Sequence, residues 1–229
     1  MYDIKLLVFD WDGTLMDSEA QIVACMQAGI ADLGLMPRTV AEVRNIIGLG
    51  LREAVTALYP EAEAGLVRSL ADRYREHWLA CDQPSQLFPG VEATLQLLKE
   101  EGFRLAVATG KGRHGLDKVL HETGLAALFD ATRCADETCS KPHPLMLEQL
   151  MAELRCAPAQ TIMIGDTEYD MEMARNAQAH AVAVSYGVHE WPRLQRHEPL
   201  TCLDHITELG DWLAELTSGS EAILANARQ

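Results

Sequence analysis

The 229-residue sequence is short of several features that would assign a class at once. No stretch approaches the run of about 20 apolar residues that a membrane-spanning helix needs, so no span is expected. The amino terminus, Met1-Tyr2-Asp3-Ile4-Lys5, has no basic region leading into an apolar run, so no secretory signal is expected either. Bases are scarce: 19 Lys and Arg stand against 34 Asp and Glu, a net charge of −15. Such an excess of acid opposes non-specific binding to nucleic acid or to an anionic membrane surface. It leaves room for a small anionic substrate, because a local cation can dominate a site.

Cysteine and histidine are also informative by what they fail to form. The six cysteines (Cys25, Cys81, Cys134, Cys139, Cys156 and Cys202) include no Cys-x-x-Cys pair, and in a chain this long they read as free thiols in a reducing cytosol. A cytoplasmic location follows as an expectation. The eight histidines are scattered without zinc-ligand spacing. Gly48-x-Gly50 lacks the third glycine of a dinucleotide fingerprint and follows a predicted helix rather than a strand. There is no internal repeat and no low-complexity segment.

What the sequence does contain is organised around Leu6-Leu7-Val8-Phe9-Asp10-Trp11-Asp12-Gly13-Thr14-Leu15. A short, wholly apolar run suits a strand covered on both faces. Residues two apart on a strand share a face, so Asp10 and Asp12 are expected on one side at its carboxyl end. Gly13 lets the chain turn there. Two sheltered carboxylates repel unless a cation or a proton intervenes. Alone, the pattern fits two solvated turn acids equally well.

From residue 17 to 84 the apolar spacing is helical. Ile22, Met26, Ile30 and Leu33 mark a helix over 18–34, with Ser18 as its expected cap and Gly34 as its stop. Thr39 caps a short helix ending near Ile47, a break at Gly48-Leu49-Gly50 precedes a helix through Leu58, and a further helix runs to about Ala80. No strand is expected in this block. Pro84 to Pro89 reads as a linker. Beyond it the pattern alternates, with strands at 103–108, near Ala131, at 161–164 and at 181–184, a poor one at 200–203, and helices between them. Strands separated by helices predict a parallel sheet covered on both faces. The final helix is expected over 205–216, and 218–229 reads as a frayed tail or a helix extension.

In such a sheet, sites form at the carboxyl ends of the strands. Four polar clusters fall there: Asp10-Trp11-Asp12, Thr109-Gly110-Lys111, Ser140-Lys141-Pro142, and Gly165-Asp166-Thr167 with Asp170. In this order, on these elements and spanning nearly the whole chain, Asp10-x-Asp12-Gly13-Thr14-Leu15, Thr109, Lys141-Pro142 and Gly165-Asp166-Thr167-x-x-Asp170 resemble the four motifs of the haloacid dehalogenase superfamily. The helical insert and the Ile47-Gly48-Leu49-Gly50-Leu51 break resemble the cap of its phosphoglycolate-phosphatase-like branch. One departure stands in the second motif, where Thr109 is followed by Gly110 rather than the Asn common in the family.

The resemblance implies an α/β fold: a three-layer, Rossmann-like parallel sheet core over 1–16 and 86–229, with an inserted all-helical cap over 17–85. It implies a Mg²⁺-dependent phosphatase acting on a small phosphorylated metabolite, phosphoglycolate-like, through an aspartyl-phosphate intermediate. The implied roles are Asp10 as nucleophile, Asp12 as general acid and then base, and Lys141 as charge-balancing catalytic cation. Thr109 and the Gly110 amide bind phosphoryl oxygens. The metal is held by the Asp10 side chain, the Asp12 backbone carbonyl and Asp166, with Asp170 fixing their geometry from behind or through water. Arg52 reads either as a substrate contact from the cap or as a solvated helix base. Lys111 and Arg113 read as exposed bases, with substrate contact as the alternative, and His143 as a helix-start residue. Other reactions on the same framework are a phosphosugar mutase, a 2-haloacid dehalogenase, or a non-catalytic binding protein that kept the fold. Asp12 and the Asp166/Asp170 pair argue against the dehalogenase, which needs neither a metal nor a leaving-group proton. The sequence carries no reading of oligomeric state.

Overall fold

The computed structural model describes residues 2–81 and 85–218. The chain opens with β1 (Leu6–Phe9) and a two-residue strand β2 (Met16–Asp17). Four helices follow: α1 (Glu19–Asp32), α2 (Val40–Arg44), α3 (Leu51–Leu58) and α4 (Ala64–Leu79). After β3 (Gln86–Leu87) the chain alternates through α5 (Val91–Glu100), β4 (Arg104–Thr109), α6 (Arg113–Thr123), β5 (Ala131–Cys134), α7 (Leu145–Leu154), β6 (Thr161–Gly165), α8 (Glu168–Asn176) and β7 (His180–Val184). A short α9 (Trp191–Leu194), β8 (Cys202–Leu203) and α10 (Leu209–Ser218) complete it.

Six strands form one parallel sheet in the order β5-β4-β1-β6-β7-β8. β1 lies in its interior, with Val8 paired to Ala106 on one side and to Met163 on the other. The chain fills one flank with β4 and β5, then returns across β1 to build β6, β7 and β8, so the winding reverses at β1. A crevice opens at such a reversal, beyond the carboxyl ends of the strands.

Alternation along the strands builds the layers. Leu7 and Phe9 enter one core with Leu105, Val107, Ile162 and Ile164, closed by α5, α6 and α10. Leu6 and Val8 enter the other with Ala106, Ala108 and Met163, closed by α7 and α8. All four β1 residues are fully buried, which explains the unbroken apolar run. Each such side chain contributes about 1.5–3 kcal/mol of burial.

The helices α1 to α4 bury a third core of their own, including Ile22, Met26, Ile30, Val43, Ile47, Val55, Leu70 and Trp78, with Val188 reaching it from the sheet side. Two sequence expectations need correction here. The segment read as a linker contains β3, which pairs antiparallel with β2, so the two crossings into and out of the helices form a ribbon. The residues are too few for periodicity to reveal it. Ser18, expected to cap α1, makes no cap hydrogen bond; its hydroxyl goes to Asp12 instead. Thr39 does cap α2, in a capping box with Glu42, and α2 stops at Arg44, short of Ile47. α9 was not legible. Beyond Ser218 the expected tail lies outside the described residues.

Candidate active site

Asp10 leaves the carboxyl end of β1, Thr109 ends β4, and Asp166 follows β6, so three central strands deliver their last polar residues to one place. Asp10, Thr109, Lys141, Asp166 and Asp170 are all essentially buried. Burying that many ionisable groups costs free energy unless each finds a partner, and the partners are specific.

Lys141 is the hub. Its ammonium lies 2.8 Å from Asp10 Oδ1 and 2.7 Å from Asp170 Oδ1. Burial opposes its charge, but the two carboxylates hold its pKa above the ordinary lysine value. Asp170 is itself oriented by the start of α8: Thr167 is the N-cap, and its backbone N–H and hydroxyl both donate to Asp170 Oδ2, at 3.1 and 2.7 Å. Asp170 is thus a helix-capping residue and an anchor for the lysine at once.

Asp166 accepts the Thr14 hydroxyl at 2.7 Å on Oδ1 and the Val188 N–H at 2.8 Å on Oδ2. Thr14 belongs to the first motif, so β1 and β6 are joined through this bond. Burial, followed by the neighbouring Asp170 charge, pushes Asp166 up to about 7. Burial likewise drives Asp10 well above the usual carboxylate range, with Asp170 and Asp166 adding to it and Lys141 opposing it. The cluster is short of positive charge.

That shortage is where a cation fits. Carboxylate oxygens of Asp10, Asp166 and Asp170 lie within 4.8 Å of one another. Asp10 Oδ2 is buried without a hydrogen-bond partner, while Oδ1 receives the Trp11 N–H and Lys141. An unpaired, buried carboxylate oxygen facing two more carboxylates is the hard-oxygen donor set that Mg²⁺ selects. The geometric cluster differs from the expected metal set by including the Asp170 side chain. Asp170 Oδ1, however, is already taken by Lys141.

Asp12 faces elsewhere. Its Oδ1 accepts the Ser18 hydroxyl at 2.5 Å and lies 2.8 Å from the Lys111 ammonium. Since β1 ends at Phe9, strand alternation no longer applies at Asp12, and the two acids have separate partners. Lys111 is the chief residue misjudged from sequence. Its side chain is only 8% exposed, and its Nζ sits 4.0 Å from the centre of the Trp78 ring on α4. A base two residues beyond a strand end carries no sequence signal for burial; only the fold brings α4 over it. Arg113 turns instead to Glu137, Asp117 and Thr132. Thr109 Oγ1 accepts the Lys111 N–H at 3.2 Å, and His143 Nδ1 accepts the Leu145 N–H where α7 begins.

Above the carboxylates a cleft of about 530 Å³ lies between the sheet and the helices. Asp10, Asp12, Gly110 and Lys111 form its floor, and Ile22, Met26, Tyr74 and Trp78 line its helical side. Arg52 lines it too and is exposed, so its two readings both remain compatible with its position. The Gly48-Leu49-Gly50 loop docks onto the sheet: Gly50 N–H donates to Ser140 Oγ at 2.7 Å. A β-carbon on Gly110 would stand 2.6 Å from the Gly48 carbonyl oxygen and closer still to that of Leu49. The departure from the family's Asn therefore has a structural reason here, because the loop's backbone occupies the space of a side chain.

A protein of Dickeya dadantii named "Probable phosphatase IndB" is 36% identical over 210 residues, covering 89% of this chain and 91% of the relative. The phosphoglycolate phosphatase of Psychrobacter arcticus is 29% identical over 223 residues, covering 92% and 96%. A crystal structure described as that of "a predicted phosphatase from Clostridium acetobutylicum" superposes with a TM-score of 0.84 at 26% identity, covering 94% of this chain and 99% of that one. Residues 7–184, from the middle of β1 to the end of β7, match the family described as haloacid dehalogenase-like hydrolase. With the match spanning every element that supplies the acid cluster, the lysine hub and the helical cover, the chain belongs to the haloacid dehalogenase-like hydrolases.

Proposed function

We propose that this chain is a Mg²⁺-dependent phosphatase that hydrolyses a small phosphomonoester, phosphoglycolate-like, through an aspartyl-phosphate on Asp10. The observation that carries the reading is the unpartnered Asp10 Oδ2, buried beside Asp166 and Asp170 with Lys141 behind it. It is an oxygen positioned for an electrophile rather than for a structural hydrogen bond.

An Asp10 oxygen attacks phosphorus, and the ester oxygen departs with a proton from Asp12. Water then attacks the acyl phosphate while Asp12 takes a proton from that water, which releases inorganic phosphate and returns Asp10 and Asp12 to their starting states. Ser18 and Lys111 fix the Asp12 carboxyl on its Oδ1 side. Lys141 offsets charge between Asp10 and Asp170, and Thr109 with the Gly110 amide receives phosphoryl oxygens. Asp10, the Asp12 carbonyl and Asp166, with Asp170 supporting from behind, would hold Mg²⁺, which would supply positive charge to a reaction between anions. Residues 17–85 act as the cap and 1–16 with 86–229 as the core, the cap excluding bulk water. Cys25, Cys134, Cys139, Cys156 and Cys202 are free thiols, which supports work in a reducing cytosol. No helix among the described residues is long and apolar enough to cross a membrane.

The test is phosphate release from a broad phosphomonoester panel with Mg²⁺ and with a chelator in its place. Turnover is expected with Mg²⁺ and lost on chelation. Asp10→Asn is expected to abolish it, by about 10³-fold or more given what removal of a covalent nucleophile does elsewhere. Persistence of turnover in Asp10→Asn refutes the assignment of the nucleophile.

A further inference from the structure

Lys111 has chemistry beyond fixing the Asp12 carboxyl. It is an ammonium at 8% exposure, 2.8 Å from Asp12 Oδ1, beneath the Trp78 ring at 4.0 Å, and on the floor of the cleft. A mostly buried ammonium carries three donors and no acceptor. Asp12 takes one donor, the aromatic face covers another side, and the cleft is what remains.

The position of Lys111 relative to the reacting atoms follows from Asp12. A proton donor to the ester oxygen must come within hydrogen-bond reach of it, about 2.6–3.2 Å. With Lys111 2.8 Å from Asp12 Oδ1 and the reacting proton on Oδ2, these lengths and the width of the carboxyl group place the ammonium within roughly 8 Å of that oxygen. One or two bonds of leaving group fill such a gap. In a desolvated pocket, a cation discriminates strongly between a formal anion and a neutral hydroxyl. Around it the cleft lining is mixed in charge, with Arg52, Arg75 and His114 beside Glu53 and Asp136, so the buried ammonium of Lys111 is the cation on its floor.

Resting on the phosphatase reading, we propose that Lys111, held in place by Trp78 of the cap, is the specificity-determining residue of this enzyme, and that it selects phosphomonoesters bearing a carboxylate within about two bonds of the ester oxygen. The substrate carboxylate takes a donor of the Lys111 ammonium facing the cleft. Because Trp78 lies on α4 and Lys111 beyond β4, the recognition group is assembled only when cap and core are together.

The experiment compares 2-phosphoglycolate with 2-hydroxyethyl phosphate, which has the same length and an uncharged tail, at fixed Mg²⁺, on the full chain. Wild type is expected to prefer 2-phosphoglycolate in kcat/KM by about ten-fold or more, the scale of one charge-assisted hydrogen bond. Lys111→Met is expected to lower kcat for both substrates by freeing the Asp12 carboxyl and, beyond that, to bring the two within about two-fold in kcat/KM by raising KM for the carboxylate, while Lys111→Arg retains most of the preference. An unchanged preference in a folded Lys111→Met overturns the proposal. So does wild type that fails to discriminate between the tails, an outcome that needs no variant to fold. Turnover of p-nitrophenyl phosphate separates the two readings. If wild type hydrolyses it but ignores the carboxylate, only the Lys111 assignment fails; if it releases phosphate from none of the three, the phosphatase reading fails and takes this one with it.

Discussion

Gly110→Ala adds one carbon at the place where cap and core meet. That carbon would stand 2.6 Å from the Gly48 carbonyl oxygen, 2.9 Å from its carbon, and nearer still to the Leu49 oxygen. These are backbone atoms, so no side chain can rotate away. The loop is also fixed on its other sides. A β-carbon on Gly48, whose φ is +98°, would press on Thr167 at 3.0 Å, and Gly50 is bonded to Ser140. With backbone on both sides of the contact, the strain is expected to shift α1–α4 about the β2–β3 ribbon. Overpacking by one methyl costs typically about 1–3 kcal/mol, and if that is charged to closure alone, kcat/KM falls by about five- to 150-fold. The two sheet cores are untouched, so the urea midpoint of the core should move little. Gly110→Asn, which restores the family's common residue, should do no better than Ala. Phosphate-release kinetics and urea unfolding on the same preparations check both parts. Wild-type kcat/KM in Gly110→Ala refutes the idea that catalysis requires the docked loop.

Two further predictions concern the charge cluster. Lys141→Met strips the cation from between Asp10 and Asp170, both buried; breaking a buried pair this way costs about 3–5 kcal/mol, read as a lower urea midpoint at pH 8, and an unchanged midpoint would sink the hub assignment. The pH dependence has a definite sign. Asp166 titrates near 7 in the folded chain, raised first by burial and then by Asp170, against an ordinary value of 3.8. Between those values the folded state holds a proton that the unfolded state has lost, so this group's stabilisation is complete below the ordinary value and disappears as pH climbs through about 7. Metal-free protein should therefore melt at a lower temperature at pH 8 than at pH 5, Mg²⁺ should raise the pH 8 value by binding the ionised cluster, and Asp166→Asn should flatten the pH slope. A slope of the same size in Asp166→Asn would exclude Asp166 as its source.

The legible parts of this protein were those in which a local pattern and a global requirement coincide. Leu6 to Phe9 announced a strand covered on both faces because all four side chains had to be apolar, and the helical periodicity from Ile22 onward had a buried stripe behind it. Asp10, Asp166 and Asp170 converge because each follows a strand or opens a helix, positions that turn residues and apolar runs betray, while Lys141 reaches them from the loop between β5 and α7. What stayed hidden depended on contacts between distant segments. Ser18 reads as a helix cap in any sequence, yet its hydroxyl is turned to donate to the Asp12 carboxylate and accepts no N–H at the start of α1. Gly110 reads as a mild departure from a motif, and only the loop lying against it shows why a side chain is absent. Lys111 reads as a surface base because lysines are rarely buried, and its sequence neighbours do nothing to contradict that. Its surroundings come from residues 12 and 78, one on the core and one on the cap, brought together from opposite sides of the cleft. Chemistry common to the family is therefore written in short motifs at strand ends. Pairs such as Lys111 and Trp78 are written instead in the contact of α4 with the loop after β4, which no local pattern encodes.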